Sequence, residues 1–177
     1  MVLNIKYLVF IMVIFCPVMA AAQNNEELYH TRYSDITYDR VENFNAFEKK
    51  IKGGSYFFKA HGPDSSYVSE LVDGIVEKVE FYLDMYPKGL KVKIIIHEDS
   101  RALEKAYWGL GIRGNVPAAF YNNRNKTIYV NAQDVNSGIM AHEFAHAVIC
   151  AYFNHAVPEK TQEILAHFVD EQVNQSQ

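Results

Sequence analysis

Cysteine is scarce in this chain, which has only Cys16 and Cys150 among its 177 residues. A fold built on several disulfide bonds is therefore excluded. The chain also lacks an excess of charge of one sign, because 17 Lys and Arg stand beside 21 Asp and Glu, and these charges are dispersed along the sequence. DNA and RNA, which select basic surfaces, are not expected as partners.

Hydrophobic residues are plentiful by comparison. They make up 49% of the chain, aromatic residues make up 14%, and charged residues make up only 21%. This composition is typical of a folded globular protein and differs from that of a disordered chain. A length of 177 residues suits one domain with a sizeable core and is short for two domains.

The N-terminal 22 residues have the three-part pattern of a secretory signal peptide. One positive charge at Lys6 precedes an apolar run over residues 7–19, and Ala20, Ala21 and Ala22 follow that run. An uncleaved membrane anchor is the alternative, but the run is shorter than the roughly 20 residues that span a bilayer. We therefore expect cleavage after Ala20 or Ala22, a mature domain over residues 23–177, a secreted or periplasmic location, and no stable membrane association.

Hydrophobic periodicity and turn residues predict a single α+β domain with a small twisted sheet. The most regular segment is a helix with apolar residues at three- and four-residue intervals, which Pro87 ends. In chain order, the predicted elements are a strand over 29–38, a helix over 45–52, a strand over 55–60, a helix over 65–86, a strand over 91–97, a helix over 100–108, strands over 118–121 and 126–131, a helix capped by Asp134 or Ser137 that runs to 153, and a helix over 159–173.

The helix predicted after Ser137 carries the residues with chemical potential. Over residues 138–153 the sequence is almost entirely apolar apart from His142, Glu143 and His146, so we expect the helix to be buried on nearly all sides. Burial of two imidazoles and a carboxylate is unfavourable unless a partner compensates for their lost hydration. A bound metal ion is such a partner.

The spacing of these residues fits a metal site. His142 and His146 are four residues apart and so share one helical face, with about 5–6 Å between their Cβ atoms, which lets both imidazoles reach one zinc ion at about 2.0–2.1 Å. Glu143 lies one step around the helix. It is expected to flank the open coordination position and to act as a base, not as a ligand.

Zinc in such a site needs a third protein ligand. The helix predicted over residues 159–173 offers several carboxylates and one imidazole. The spacing alone leaves the choice open among five candidates, which are Glu159, Glu163, His167, Asp170 and Glu171.

Two segments resemble the gluzincin-type metallopeptidases, in particular the small peptidase-MA-like proteins. The first is Ala-His-Glu-Phe-Ala-His-Ala at 141–147, and the second, after Pro158, is Gln-Glu-Ile-Leu-Ala-His-Phe at 162–168. The resemblance implies a zincin-like domain, in which a buried active-site helix is followed by a glutamate-bearing helix. It also implies one Zn²⁺ per chain, with His142, His146 and Glu163 as ligands and Glu143 as the general base.

The resemblance further implies a reaction and a substrate class. Members of this family hydrolyse peptide bonds, so the expected partner is a peptide or protein substrate. The strand predicted over residues 126–131 is expected to pair with that substrate by β-augmentation, in which backbone hydrogen bonds supply the affinity.

Two features depart from the family pattern. One turn after the ligand glutamate the family usually has a carboxylate that orients a ligand imidazole, whereas this chain has His167, which is open to a supporting, donor or ligand role. Larger gluzincins supply a Tyr or His donor to the oxyanion from a C-terminal subdomain, but only 14 residues follow Glu163 here and none is Tyr. The candidates for that donor are Tyr152, His155 and His167.

Two other functions stay open at the level of sequence. One is a catalytically inactive zinc-binding recognition module with a peptidase-like fold, which the small size and the unassigned oxyanion donor favour. The other is a secreted structural domain in which hydrogen bonds alone satisfy the buried histidines.

Overall fold

A computed structural model describes residues 26–52, 66–153 and 155–175. The predicted signal peptide and the strand predicted over residues 55–60 lie outside the described residues. In chain order the elements are β1 (Glu27–His30), β2 (Ser34–Tyr38), α1 (Val41–Lys52), α2 (Ser66–Leu83), β3 (Val92–His97), α3 (Ser100–Gly109), β4 (Ala119–Asn122), β5 (Thr127–Asn131), α4 (Ser137–Tyr152) and α5 (Glu159–Gln175).

The five strands form one mixed sheet in the order β1-β2-β3-β5-β4. Strands β2, β3 and β5 are parallel, and the antiparallel strands β1 and β4 form the two edges. In the register of the parallel strands, Ile94 lies opposite Ile36 on one side and Ile128 on the other. This mixed α/β architecture, with five helices among the described residues, is compatible with the predicted α+β class.

The main core lies on one face of the sheet. The side chains of Ile36, Ile94 and Ile128 are fully buried there and belong to one cluster with apolar residues from α1, α2, α4 and α5. A smaller cluster centred on Leu103 of α3, Phe120 and Tyr129 lies apart from it, and the Phe120 and Tyr129 rings stack with centroids 4.8 Å apart. None of the described helices combines the length and the apolar character that a membrane span requires.

The predicted helices over 65–86, 100–108 and 159–173 and the strands over 91–97, 118–121 and 126–131 are confirmed within a few residues at each end. The strand predicted over residues 29–38 is wrong as a single element, because β1 and β2 are separate antiparallel strands. The turn between them is held by Asp73 of α2, which accepts hydrogen bonds from the Thr31 hydroxyl at 2.7 Å and from the backbone N–H of Arg32 and of Tyr33 at 3.0 and 3.2 Å. A contact about 40 residues away in sequence therefore sets a break that the local pattern does not show.

Two helix starts also differ from prediction. Helix α1 begins at Val41, four residues before the predicted start at residue 45. Helix α4 is capped by Asn136, whose side-chain oxygen accepts from the Ile139 N–H at 2.9 Å. Asp134, one of the two predicted caps, instead accepts a hydrogen bond from the Asn131 side chain at 2.6 Å.

Candidate metal centre

Helix α4 carries three polar side chains into an otherwise apolar environment. Its faces pack against α2, α5 and the edge strand β4, so that Met140, Phe144 and Val148 are fully buried. Glu143 is also buried, with 8% of its surface exposed, while His142 and His146 are half-buried on the side where α5 packs. The predicted burial of this helix is therefore confirmed.

The structure brings Glu163 of α5 to both imidazoles. The Nε2 atoms of His142 and His146 are 3.2 Å apart. One carboxylate oxygen of Glu163 lies 3.6 Å from Nε2 of His142, and the other lies 3.4 Å from Nε2 of His146. Of the five ligand candidates on α5, Glu163 is thus the one that meets both histidines.

These separations fit a tetrahedral zinc site. Ligand atoms at about 2.0–2.1 Å from one ion in tetrahedral geometry are about 3.3–3.4 Å from one another, close to the three distances observed. Two imidazoles and one carboxylate form a donor set that zinc accepts, with a fourth position left open. Burial is the main cause that lowers the pKa of both His142 and His146, which favours the neutral imidazoles that a metal ligand must provide.

Glu143 faces the same site but contacts the sheet. Its Oε2 accepts a 2.7 Å hydrogen bond from the backbone N–H of Tyr121 in β4. Burial raises the pKa of Glu143 to about 8, although the Tyr121 N–H acts in the opposite direction. Sequence reasoning did not find this contact, because it joins backbone and side chain across 22 residues and has no motif.

A cavity of about 460 Å³ opens over these residues. One wall is largely apolar and contains Tyr107, Ile112, Pro117 and Phe120. The lining also includes residues of α4 and α5, which are His142, Glu143, His146, Cys150, Glu159, Gln162 and Glu163. The site is therefore accessible to a ligand larger than water.

The edge strand β4 borders this cavity, which corrects the prediction made for the strand over residues 126–131. Strand β5 lies between β3 and β4, so both of its backbone edges are already paired and it is not free to take another strand. The N–H of Asn131, at the end of β5, donates to the carbonyl of Ala118, just before β4. In an antiparallel pair this bond fixes which residues of β4 turn their backbone groups toward β5 and which turn them away. Ala119 and Tyr121 consequently direct their backbone groups away from β5, and both residues line the cavity.

The three candidates for an oxyanion donor lie in different places. Tyr152 is 48% exposed at the C-terminal end of α4, where its ring contacts Phe153, and the ring of His155 also contacts Phe153. Neither residue lines the cavity. His167 is exposed on α5, and its ring centroid is 4.9 Å from that of His142.

The arrangement as a whole can hold a divalent cation next to a buried carboxylate, with an open cavity and a free strand edge beside both. These are the components of metal-assisted hydrolysis, in which a base and a Lewis acid act on the same water. Comparisons of the chain with protein-family models, with curated proteins and with solved structures find no match.

Proposed function

We propose that this protein is a zinc-dependent peptidase with a zincin-like fold. One Zn²⁺ per chain is held by His142, His146 and Glu163, and Glu143 is the general base. The observation that carries this proposal is the set of three distances, 3.2, 3.4 and 3.6 Å, between ligand atoms from two separate helices. The two distances to Glu163 end at different oxygens of its carboxylate, and all three distances are close to the separation of neighbouring ligand atoms around one zinc ion. The gluzincin-like motifs that contain the three ligands support the same assignment.

The chemistry is divided between the ion and the chain. When bound, zinc acidifies a water molecule and polarises the peptide carbonyl. Glu143 removes a proton from the attacking water and later delivers it to the leaving amine. The Tyr121 N–H holds Oε2 of this carboxylate, so Oε1 is the oxygen that carries the proton.

The substrate is proposed to be a peptide segment in extended conformation. It adds to β4 as a further strand, and its backbone pairs with the outward N–H and C=O of Ala119 and with the C=O of Tyr121, whose N–H is already donated to Glu143. Its scissile carbonyl then lies next to Glu143, because Tyr121 belongs to this edge strand and its N–H contacts the Glu143 carboxylate. The apolar wall of the cavity favours a substrate with an apolar side chain close to the cleaved bond.

The Glu143→Gln variant tests the catalytic assignment. We expect it to retain one zinc ion per chain, because Glu143 is not a ligand, and to lose turnover by about 10²–10⁴-fold in a digest of a peptide library. Glu159→Gln is the matched control, since it removes a carboxylate from the rim of the same cavity and leaves the base in place. Full turnover by Glu143→Gln, or purified protein without zinc, would contradict the proposal.

The recognition module is the second candidate function. It is favoured by the positions of the three predicted oxyanion donors, because none of them is among the described residues that line the cavity: Tyr152, His155 and His167. In that case the wild-type protein would contain zinc and bind extended peptides, but neither it nor Glu143→Gln would cleave them. Binding of library peptides to the zinc-loaded wild type, measured without turnover, identifies this outcome.

The location outside the cytoplasm is part of the same proposal. It is supported by the charge, apolar run and alanines of residues 1–22. Mass spectrometry of the exported protein is expected to find an N-terminus at Ala21 or Gln23, and an exported chain that still begins at Met1 would contradict it.

A further inference from the structure

A second group of potential ligands lies next to the first. His167 and Asp170 are three residues apart on α5 and so occupy the same helical face. One ligand atom from each of them and one from His142 lie within 4.8 Å of one another. The rings of His142 and His167 meet at 68°, with centroids 4.9 Å apart.

The Asp170 carboxylate is held in place by its surroundings. Its Oδ1 accepts a 2.7 Å hydrogen bond from the side-chain amide of Asn174. The same oxygen lies over Gly138, one turn before His142 on α4, where an added Cβ would be only 2.4 Å away. The absence of a side chain at Gly138 therefore lets this carboxylate approach α4 beneath His142.

The ligand group of His142, His146 and Glu163 leaves one ring nitrogen of His142 available. It uses Nε2, the atom that faces His146 and Glu163. An imidazole has a second nitrogen, Nδ1, and each nitrogen can bind one ion when it carries no proton. An ion at Nδ1 would displace the proton of that nitrogen to solvent, and His167 is exposed, so a second ion would be bound more weakly than one held by His142, His146 and Glu163.

We propose that His142, His167 and Asp170 form a second divalent-cation site, which Zn²⁺ occupies at concentrations above those that fill the first. Two imidazoles and a carboxylate are ligands of zinc, whereas Mg²⁺ and Ca²⁺ prefer oxygen ligands alone. The inference rests on the proposed function in one respect, since both sites share His142.

Equilibrium dialysis of the full mature chain against Zn²⁺, with the bound metal measured by elemental analysis, tests this inference. The wild type is expected to bind two ions in two resolved steps. Asp170→Asn and His167→Ala are each expected to retain the first step and lose the second. Glu171→Gln, which removes the neighbouring exposed carboxylate of the same helix, is expected to retain both steps.

Gly138→Ala provides a variant that changes no ligand. Its added methyl group requires Asp170 and Asn174 to move, so we expect the second step to weaken while the first is unchanged. Circular dichroism of each variant in the presence of a chelator establishes that it is folded before dialysis. If one substitution fails this check, the other two still report on the second step.

Two results would overturn the inference. One is a single binding step in the wild type at all zinc concentrations. In that case a loss of about 10–100-fold in Asp170→Asn is the effect expected if Asp170 only hydrogen-bonds His142. The other is a second step that both Asp170→Asn and His167→Ala retain unchanged. Glu163→Gln separates this inference from the proposed function, because it is expected to weaken the first step and preserve the second.

Discussion

The three proposed zinc ligands differ in their exposure to solvent. The side chain of Glu163 is 45% exposed, whereas those of His142 and His146 are 17% and 13% exposed. Without an ion, the charge of Glu163 is therefore partly hydrated. Burial of the two imidazoles in their neutral form also costs little electrostatic free energy. Affinity for a divalent cation thus depends strongly on Glu163, and the stability of the metal-free protein depends on it weakly.

Replacement of Glu163 by Gln is predicted to separate these two quantities. Zinc affinity is expected to fall by more than about 100-fold, because even partners of ligand residues change affinity by about 10–100-fold. The free energy of unfolding in the presence of a chelator is expected to change by less than about 0.5 kcal/mol. Zinc competition with a chromophoric chelator and urea denaturation measure the two effects.

Glu159→Gln is the control for this prediction, because Glu159 lies one turn before Glu163 on the same helix and is exposed. Equal losses of zinc affinity in the two variants would show that Glu163 contributes only its negative charge to the region.

Residue-level reasoning predicted part of this site from the sequence. His142, Glu143 and His146 are recognisable because their relation is local, with all three on two turns of one apolar helix. Glu163 was one of five candidates until the family resemblance favoured it, and the structure places it against both histidines. The Tyr121 contact with Glu143 has no sequence signal, since any residue at that position would present the same backbone N–H.

At the scale of elements, α4 is the buried helix on which the site is built. Its apolar side chains pack against α2, α5 and β4, and they determine where its histidines point. Most of its stabilisation is therefore expected to come from packing and not from the polar groups it carries. The rigidity of the helix holds the two proposed ligands and the proposed base in one arrangement.

Truncation of a core residue on α4 is predicted to reduce stability strongly. Met140 is fully buried, so Met140→Ala is expected to lower the free energy of unfolding by about 2–5 kcal/mol through lost burial and a cavity. Ile164→Ala on α5 is the control, because Ile164 is 61% exposed and its truncation is expected to change stability by less than about 0.5 kcal/mol. Urea denaturation of the metal-free proteins compares the two, and equal effects would mean that α4 is not the core helix described here.

The elements that the sequence predicted correctly are those with strong local periodicity. Helix α2 has its apolar residues at helical intervals, and β3 has a run of isoleucines that suits a buried strand. The break between β1 and β2 was missed because the side chain that holds it, Asp73, belongs to α2. The order of the strands could not be predicted from the sequence either, because β4 and β5 have similar local patterns although, of these two, only β4 is an edge strand.

At the scale of the whole molecule, the proposed ion links two helices that are separate in sequence. It is bound by α4 and α5 together, so the unfolded chain does not contain the site. Ligands that bind only the native state raise the free energy of unfolding according to their excess over the dissociation constant. Zinc is therefore expected to stabilise the entire fold as well as the site.

Removal of metal is predicted to lower the thermal midpoint of the wild-type protein. Free zinc at 100 times the dissociation constant is expected to add about 2.7 kcal/mol to the free energy of unfolding, and a chelator is expected to remove that gain. Mg²⁺ at the same concentration is expected to have little effect, because it prefers oxygen ligands. Differential scanning calorimetry measures the shift, and a midpoint that zinc does not change would contradict a native zinc site.

The most direct test of the account is a crystal structure of the zinc-loaded protein with anomalous diffraction collected at the zinc absorption edge. The account predicts one strong peak about 2.0–2.1 Å from Nε2 of His142 and of His146 and about 2.0–2.2 Å from an oxygen of Glu163, with Glu143 outside bonding distance. A weaker second peak near His167 and Asp170 at high zinc belongs to the further inference. Absence of any peak between the two histidines and Glu163 would contradict the central claim.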